Sequence, residues 1–376
     1  MSVMTEAVTG SGPAPARLPA LEPTYEGDFV LDQHLMLESG RTLAQATLHY
    51  AVYGRLNAAR DNAVLICHAL SGSARVGDWW PEIFAPGAVL CLEHDFVICI
   101  NLLGSCYGST GPGSVDPETG LVYGPDFPLV SIRDNVRAQS HLLDSLGIQR
   151  LRLILGGSIG GMQALEWAIH DPARVEQAAI IAVAPLTAMG LALNHLQRQA
   201  IQNDPDWDSG YYLPQRQPRL GLSLARQIGM LSYKSATLFD ERFSRNPNRN
   251  GENPWSLDNH GGGLIGGRFD IAGYLDHQGE RFIQRFDANS YLAILRTMDT
   301  WDPLNSRPAK DAFSGIRARL TFIGISSDWL FPPDSVRDFV GLIRSAGVPA
   351  EYREMTSSHG HDAFLAEQAE LLRLLQ

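Results

Sequence analysis

A serine at 158, an aspartate at 328 and a histidine at 361 are the residues of this chain whose types and order could do covalent chemistry. Ser158 sits in Gly156-Gly157-Ser158-Ile159-Gly160-Gly161, between an apolar run (Leu151, Leu153, Ile154, Leu155) and a segment of helical spacing (Met162, Leu165, Trp167, Ala168). A G-x-S-x-G string at a strand-to-helix junction is the nucleophile-elbow pattern. Its sharp turn strains the backbone at the serine, and its glycines leave room for chain and substrate. The N-terminus of the following helix favours negative charge developing there. The same string also fits a glycine-rich turn with a bystander serine, so the rest of the chain must decide.

A serine nucleophile needs a base, and the base needs a carboxylate to orient it. Folds built on this elbow place the three in the order Ser, Asp or Glu, His, at the carboxyl ends of strands. Asp328 follows the apolar run Thr321-Phe322-Ile323-Gly324-Ile325, and His361 follows the next strand-like segment, in Ser358-His359-Gly360-His361-Asp362. Two rivals stand beside them. His359 is two residues from His361, and Asp334 is near Asp328, although its position opening a helix suits an N-terminal charge. Acyl transfer also needs donors for an oxyanion. The backbone N–H of Ile159 is one, and Leu70, in the small-residue loop His68 to Ser73, is the candidate for the other. His68 reads as a residue that shapes this loop.

The elements that must position these residues follow from hydrophobic periodicity. Phe29 to Tyr53 reads as an antiparallel hairpin around Glu38-Ser39-Gly40. Asn62–Ala69, Phe96–Asn101, Leu151–Leu155 and Ala178–Val183 read as buried strands. Ile132 to Leu146 reads as a helix capped by Ser131 and closed by Gly147. Strands alternating with helices predict a mostly parallel sheet covered on both faces. After Pro185 the pattern changes to amphipathic helices (Leu193–Asn203, Leu220–Ser232, Asp287–Met298) with a polar loop, Asn246 to Gly267. Strand–helix alternation resumes at Leu320, with a helix near Asp334–Ala346, a strand at Ala350–Met355 and a terminal helix from Asp362. The expected organisation is a disordered leader over 1–23, a core over 24–188 and 308–376, and a helical lid insertion over 189–307.

Composition narrows the function. The 376 residues are 44% hydrophobic and 19% charged, with a formal charge of −11, an ordinary globular profile. The negative charge and the absence of Lys/Arg clusters argue against nucleic acid as a partner. No apolar run reaches the roughly 20 residues of a membrane span, and the N-terminus lacks the pattern of a secretory signal, so the expected location is the cytoplasm. Cys67, Cys91, Cys99 and Cys106 fit neither a disulfide scaffold nor a C-x-x-C metal pair, and no metal or bound cofactor is expected.

With these residues in place, the chain resembles the homoserine O-acyltransferase family of the α/β-hydrolase fold. The matching segments are His68–Gly72, Asn101–Pro112, Gly156–Trp167, Leu196–Ile201, Arg285–Leu292, Ser327–Pro332 and Gly360–Leu365, spanning nearly everything after residue 25. The resemblance implies that Ser158 is acylated by an acyl-CoA co-substrate, with His361 as base and Asp328 orienting it. The acyl group then passes to the side-chain hydroxyl of an amino acid in a ping-pong cycle. It favours His361 over His359, because the family histidine precedes Asp-Ala-Phe-Leu. It assigns Arg226 to the substrate α-carboxylate, Asp362 to the α-ammonium and Tyr233 to the substrate lining. A guanidinium suits that carboxylate.

Donor and acceptor also rest on the resemblance. Succinyl-using members carry an arginine two residues past the aspartate, where this chain has Leu330. A leucine offers a buried succinyl carboxylate no counter-charge, so acetyl-CoA is the expected donor. Gly157 stands where serine-using relatives have asparagine, which favours L-homoserine. Relatives form homodimers through the helical insertion. An esterase would use the same three residues, and a catalytically inactive binding module on the same fold is the non-enzyme alternative. An esterase has no need of an Arg226/Asp362 pair.

Overall fold

The computed structural model describes residues 20–255 and 267–376. Its centre is an eight-stranded sheet: β1 (Tyr25–Val30), β4 (Thr47–Tyr53), β6 (Phe96–Ile100), β5 (Ala63–Cys67), β7 (Leu151–Gly157), β8 (Gln177–Ile181), β9 (Arg319–Ile325) and β10 (Ala350–Met355), in that spatial order. β1 pairs antiparallel with β4 and β4 with β6, whereas β6 through β10 run parallel. The central strands are continuous apolar runs because both their faces are covered. In β5, Ala63, Leu65 and Cys67 enter one core and Val64 and Ile66 the opposite one, the period-two alternation of a strand.

α2 (Ile132–Ser145), α3 (Ile159–His170) and α10 (Pro333–Ser345) contribute to the first core, and α1 (Val76–Trp79) and α12 (Gln368–Leu375) to the second. Ser131 caps α2 through a full capping box: its hydroxyl accepts from the Asp134 N–H, and the Asp134 carboxylate accepts from the Ser131 N–H. The mostly parallel sheet, its antiparallel edge and its helices agree with the reading from periodicity.

Three details differ from it. The expected hairpin is split: β1 and β4 pair in the large sheet, while its tip forms a separate two-residue pair, β2 (Leu35–Met36) with β3 (Thr42–Leu43). The tip leaves the sheet because Leu35, Leu37 and Leu43 bury into the core and Asp134 binds the Glu38 N–H at 3.0 Å. The terminal helix is broken into a short turn at Gly360–Asp362, α11 (Ala363–Ala366) and α12, with Glu367 non-helical at φ −119°, ψ 59°. Of the expected leader, residues 1–19 lie outside the described residues. Leu21 already bonds the Gly77 carbonyl at 3.3 Å and Glu22 pairs with Arg75 at 2.6 Å.

Between β8 and β9 the chain forms α4 (Ala188–Gln202), α5 (Arg219–Tyr233), α6 (Ala236–Arg242), α7 (Asp270–Phe282) and α8 (Ala288–Asp299), followed by α9 (Ala309–Phe313). Residues 256–266 of the expected polar loop lie outside the described residues. α4 packs against α5 and α8, and α5 against α7 and the turn at Gly360–Asp362. This segment brings Leu186, Asn194, Gln197, Arg226, Tyr233 and Met298 to the cavity that holds Ser158.

Candidate active site

Ser158 follows β7 directly and occupies the N-cap position of α3, with φ 57° and ψ −130°. That conformation is disfavoured for a residue with a Cβ, costing on the order of 1–3 kcal/mol, and is held by its surroundings. The Ser158 N–H bonds the Ile181 carbonyl at 2.9 Å, and its own carbonyl accepts from Gly161 and Met162. The glycines are required by close approach. A Cβ on Gly160 would lie 2.1 Å from the Cys67 carbonyl oxygen, and one on Gly157 would lie 2.6 Å from the Phe364 ring.

The two loops beyond β9 and β10 deliver the acid and the base. The Asp328 carboxylate is held at both oxygens. Oδ1 accepts from the Leu330 and Phe331 N–H groups at 2.9 Å each, and Oδ2 accepts from His361 Nδ1 at 2.7 Å. Asp328 and His361 are 3% and 2% exposed. Burial penalises the imidazolium, but the charge and hydrogen bond of Asp328 outweigh it, and the His361 pKa is raised above its ordinary value. With Nδ1 bound to Asp328, Nε2 is the atom left for chemistry. The rivals are engaged elsewhere. His359 bonds Glu367 at 2.8 Å, and Asp334 pairs with Arg337 at the exposed start of α10.

Among the described residues, neither the Ile159 nor the Leu70 backbone N–H has a protein acceptor. Leu70 lines the cavity; the Ile159 side chain is buried in the core, so its N–H is what it offers beside Ser158. His68, fully buried, spans the loops beyond β5 and β6. Its Nδ1–H donates to the Ala69 carbonyl at 2.8 Å, and Nε2 accepts from the Leu102 N–H at 3.2 Å. Burial lowers its pKa to about 4, so it is neutral at pH 7 and serves as a brace for the Leu70 loop.

Ser158, His361, Leu70, Leu330, Arg226, Tyr233 and Asp362 all line one cavity of about 100 Å³. Arg226, on α5, stacks over Phe282 at 4.8 Å and Tyr233 at 5.7 Å. Among the described residues no carboxylate pairs with it, so its charge is open to a ligand anion. Leu330 is buried. Asp362 has a partner that sequence reasoning missed: Lys234 Nζ lies 2.9 Å from its Oδ2. The signal was modest, since Lys234 directly follows Tyr233 and is one of only two lysines in the chain.

A wider vestibule of about 630 Å³ adjoins this cavity and shares Ala69, Ser71, Arg226 and Leu365 with it. Arg285 also lines it, donating to the Ser71 carbonyl at 3.0 Å and to the Tyr107 hydroxyl. A larger groove, about 910 Å³, lies at the starts of β8, β9 and β10 and contains none of these residues. The missed polar lining, Asn194 and Gln197, comes from α4, where burial of polar side chains left no periodic signal.

An elbow serine and an Asp–His pair at the carboxyl ends of a mostly parallel sheet define an α/β hydrolase. Residues 62–368 match the family described as alpha/beta hydrolase fold. Within it, the chain is 42% identical over 355 residues to a homoserine O-acetyltransferase of Geotalea uraniireducens (strain Rf4), covering 91% of this chain and 93% of that one. It is also 42% identical over 349 residues to a homoserine O-succinyltransferase of Acidithiobacillus ferrooxidans, covering 88% of each. The crystal structure of homoserine O-acetyltransferase from Bacillus anthracis matches with a TM-score of 0.84 at 26% identity, over 94% of this chain and 96% of that one. That of esterase E22 matches at 0.83 and 25%, over 94% and 100%. The chain belongs to the homoserine O-acetyltransferase family.

Proposed function

We propose that the protein moves the acetyl group of acetyl-CoA to the side-chain hydroxyl of L-homoserine through an acyl-Ser158 intermediate. One observation carries this reading: the strained Ser158 and the Asp328-held His361 share a small cavity with Arg226, unpaired among the described residues, and with Asp362. His361 Nε2 takes the Ser158 proton as Oγ attacks the thioester carbonyl, and the N–H groups of Ile159 and Leu70 receive the oxyanion. The thiolate of CoA leaves with the proton from His361. The acceptor hydroxyl then gives its proton to His361 and attacks the acyl-serine, and Ser158 Oγ leaves, taking that proton back from His361. Arg226 binds the acceptor carboxylate as a guanidinium fork, Asp362 its ammonium, and Tyr233 its flank.

The donor cannot be read from overall identity, because relatives of both donor names are equally similar. Leu330 supports acetyl, since at its position in the cavity a succinyl carboxylate meets a buried leucine and no counter-charge. The vestibule supports a long donor entering past Arg285, with no bound cofactor required. A hydrolase is the second reading, supported by the likeness to an esterase. Arg226 and Asp362 favour transfer, because an ester substrate needs neither charge. The exposed apolar residues Leu220, Leu224 and Leu231 on α5 support a homodimer joined through the inserted helices.

Intact-mass spectrometry after mixing with acetyl-CoA alone tests the intermediate. The expected result is a mass gain of one acetyl group, absent in Ser158→Ala and discharged on adding L-homoserine. An acetyl adduct that persists in Ser158→Ala would overturn the assignment.

A further inference from the structure

The two residues joining α5 to α6, Lys234 and Ser235, are bonded to both loops that carry the Asp–His pair. Trp329 Nε1, beside Asp328, donates to the Lys234 carbonyl at 2.9 Å, and the Ser235 hydroxyl donates to the Ser358 carbonyl. Gly360, at φ +70°, packs so tightly on this joint that a Cβ there would lie 2.7 Å from the Lys234 carbonyl carbon. The Lys234 ammonium is therefore delivered to Asp362 from a backbone with little freedom to move. The two side chains are only 11% and 22% exposed.

His361 consequently has two carboxylates near it, Asp328 on Nδ1 and Asp362 next in the chain. Among the described residues, the rings packed against it are Tyr233, 6.0 Å away with Arg226 behind it, and the uncharged Phe331 and Phe364, and Ser158 shares its cavity. Two uncompensated carboxylates would hold a proton on the imidazole, and a protonated imidazole cannot accept the serine proton. In the free enzyme the charge that offsets the second carboxylate comes from Lys234. Among the described residues Asp362 Oδ1 has no hydrogen-bond partner.

Resting on the function proposed above, we propose that Lys234 is a positioning residue. Its ammonium occupies one oxygen of Asp362, keeps the other turned to the acceptor's ammonium, and offsets the second carboxylate beside His361 until the acceptor arrives. An inert structural ion pair would have no bearing on the protonation of His361. Here the Lys234 and Asp362 charges act on it in opposite senses, as their signs require.

The test is the pH dependence of the p-nitrophenol burst from p-nitrophenyl acetate, without acceptor, for wild type, Lys234→Met, Lys234→Arg and Asp362→Asn. In Lys234→Met the acid limb moves to higher pH by about half a unit to one unit, the effect of a partly screened unit charge at close range. In Asp362→Asn it moves to lower pH, and in Lys234→Arg it stays in place. A Lys234→Met limb at the wild-type position, or a burst lowered equally at every pH, would overturn the proposal. Should Lys234→Met fail to fold, Asp362→Asn alone decides, and an unmoved or upward-moving limb rejects the idea. The burst needs the acylation machinery, Ser158, His361, Asp328 and the oxyanion donors, but no acceptor. A wild type that shows the burst but transfers nothing to homoserine would therefore reject the proposed acceptor while leaving Lys234 tested. No burst at all would reject both.

Discussion

At the scale of single residues, the site is a set of charges, each assigned a different partner. Asp328 is saturated by two backbone N–H groups and His361, Asp362 is half-occupied by Lys234, and Arg226 faces a cavity between aromatic rings. Arg226→Ala is expected to raise the homoserine KM by about 10- to 100-fold, the weight of a charged hydrogen-bonded contact. The burst of CoA release from acetyl-CoA stays within a few-fold of wild type. Stopped-flow thiol detection separates the two half-reactions, and equal loss of both would mean that Arg226 is structural.

The raised pKa of His361 has two consequences of opposite sign. The base must be neutral, so kcat/KM falls on acidification through a pKa above 6.5, the ordinary value for this group. The same shift stabilises the fold fully below pH 6.5 and is lost as pH rises through the raised pKa. Urea titrations across this window should show that contribution weakening as activity appears. An acid limb below 6.5 would contradict the electrostatics described for Asp328. The placement of Ser158, Asp328 and His361 beside one cavity was legible because each sits at a strand end in a fixed order. The Lys234–Asp362 contact was not, because it joins distant segments that no local spacing encodes.

Elements show the same division. Strands β5 to β9 were legible as apolar runs, and α2 as a capped amphipathic segment, because their patterns are local. The hairpin tip was not, since its alternation continues without a break and only burial of Leu35, Leu37 and Leu43 pulls it out of the sheet. The break in the C-terminal helix was also hidden, because the sequence continues with good helix formers across Glu367. α5 carries a prediction of its own. Its inner face supplies Arg226 and Tyr233, while Leu220, at 78% exposed, and Leu224 stand outward. In the proposed homodimer such residues are covered. Leu220→Glu is expected to halve the particle mass in light scattering, and a wild-type mass of one protomer would contradict the dimer outright.

For the whole molecule, the sheet and the inserted helices divide the work. The sheet fixes a serine, an acid and a base beyond the carboxyl ends of β7, β9 and β10, and the inserted helices bring Arg226 and Lys234 to them; in the proposed reading Arg226 and Asp362 distinguish an amino-acid acceptor from water. Overall similarity extends equally to acetyl- and succinyl-transferring relatives and reaches an esterase, so the identity of donor and acceptor turns on a few side chains. Free CoA thiol should therefore be measured with acetyl-CoA or succinyl-CoA, each combined with L-homoserine, L-serine or no acceptor. Sustained release with acetyl-CoA that depends on L-homoserine is the predicted result. Homoserine-dependent release with succinyl-CoA alone would contradict the role given to Leu330. Equal sustained release without any acceptor would make water the acceptor and the protein a hydrolase.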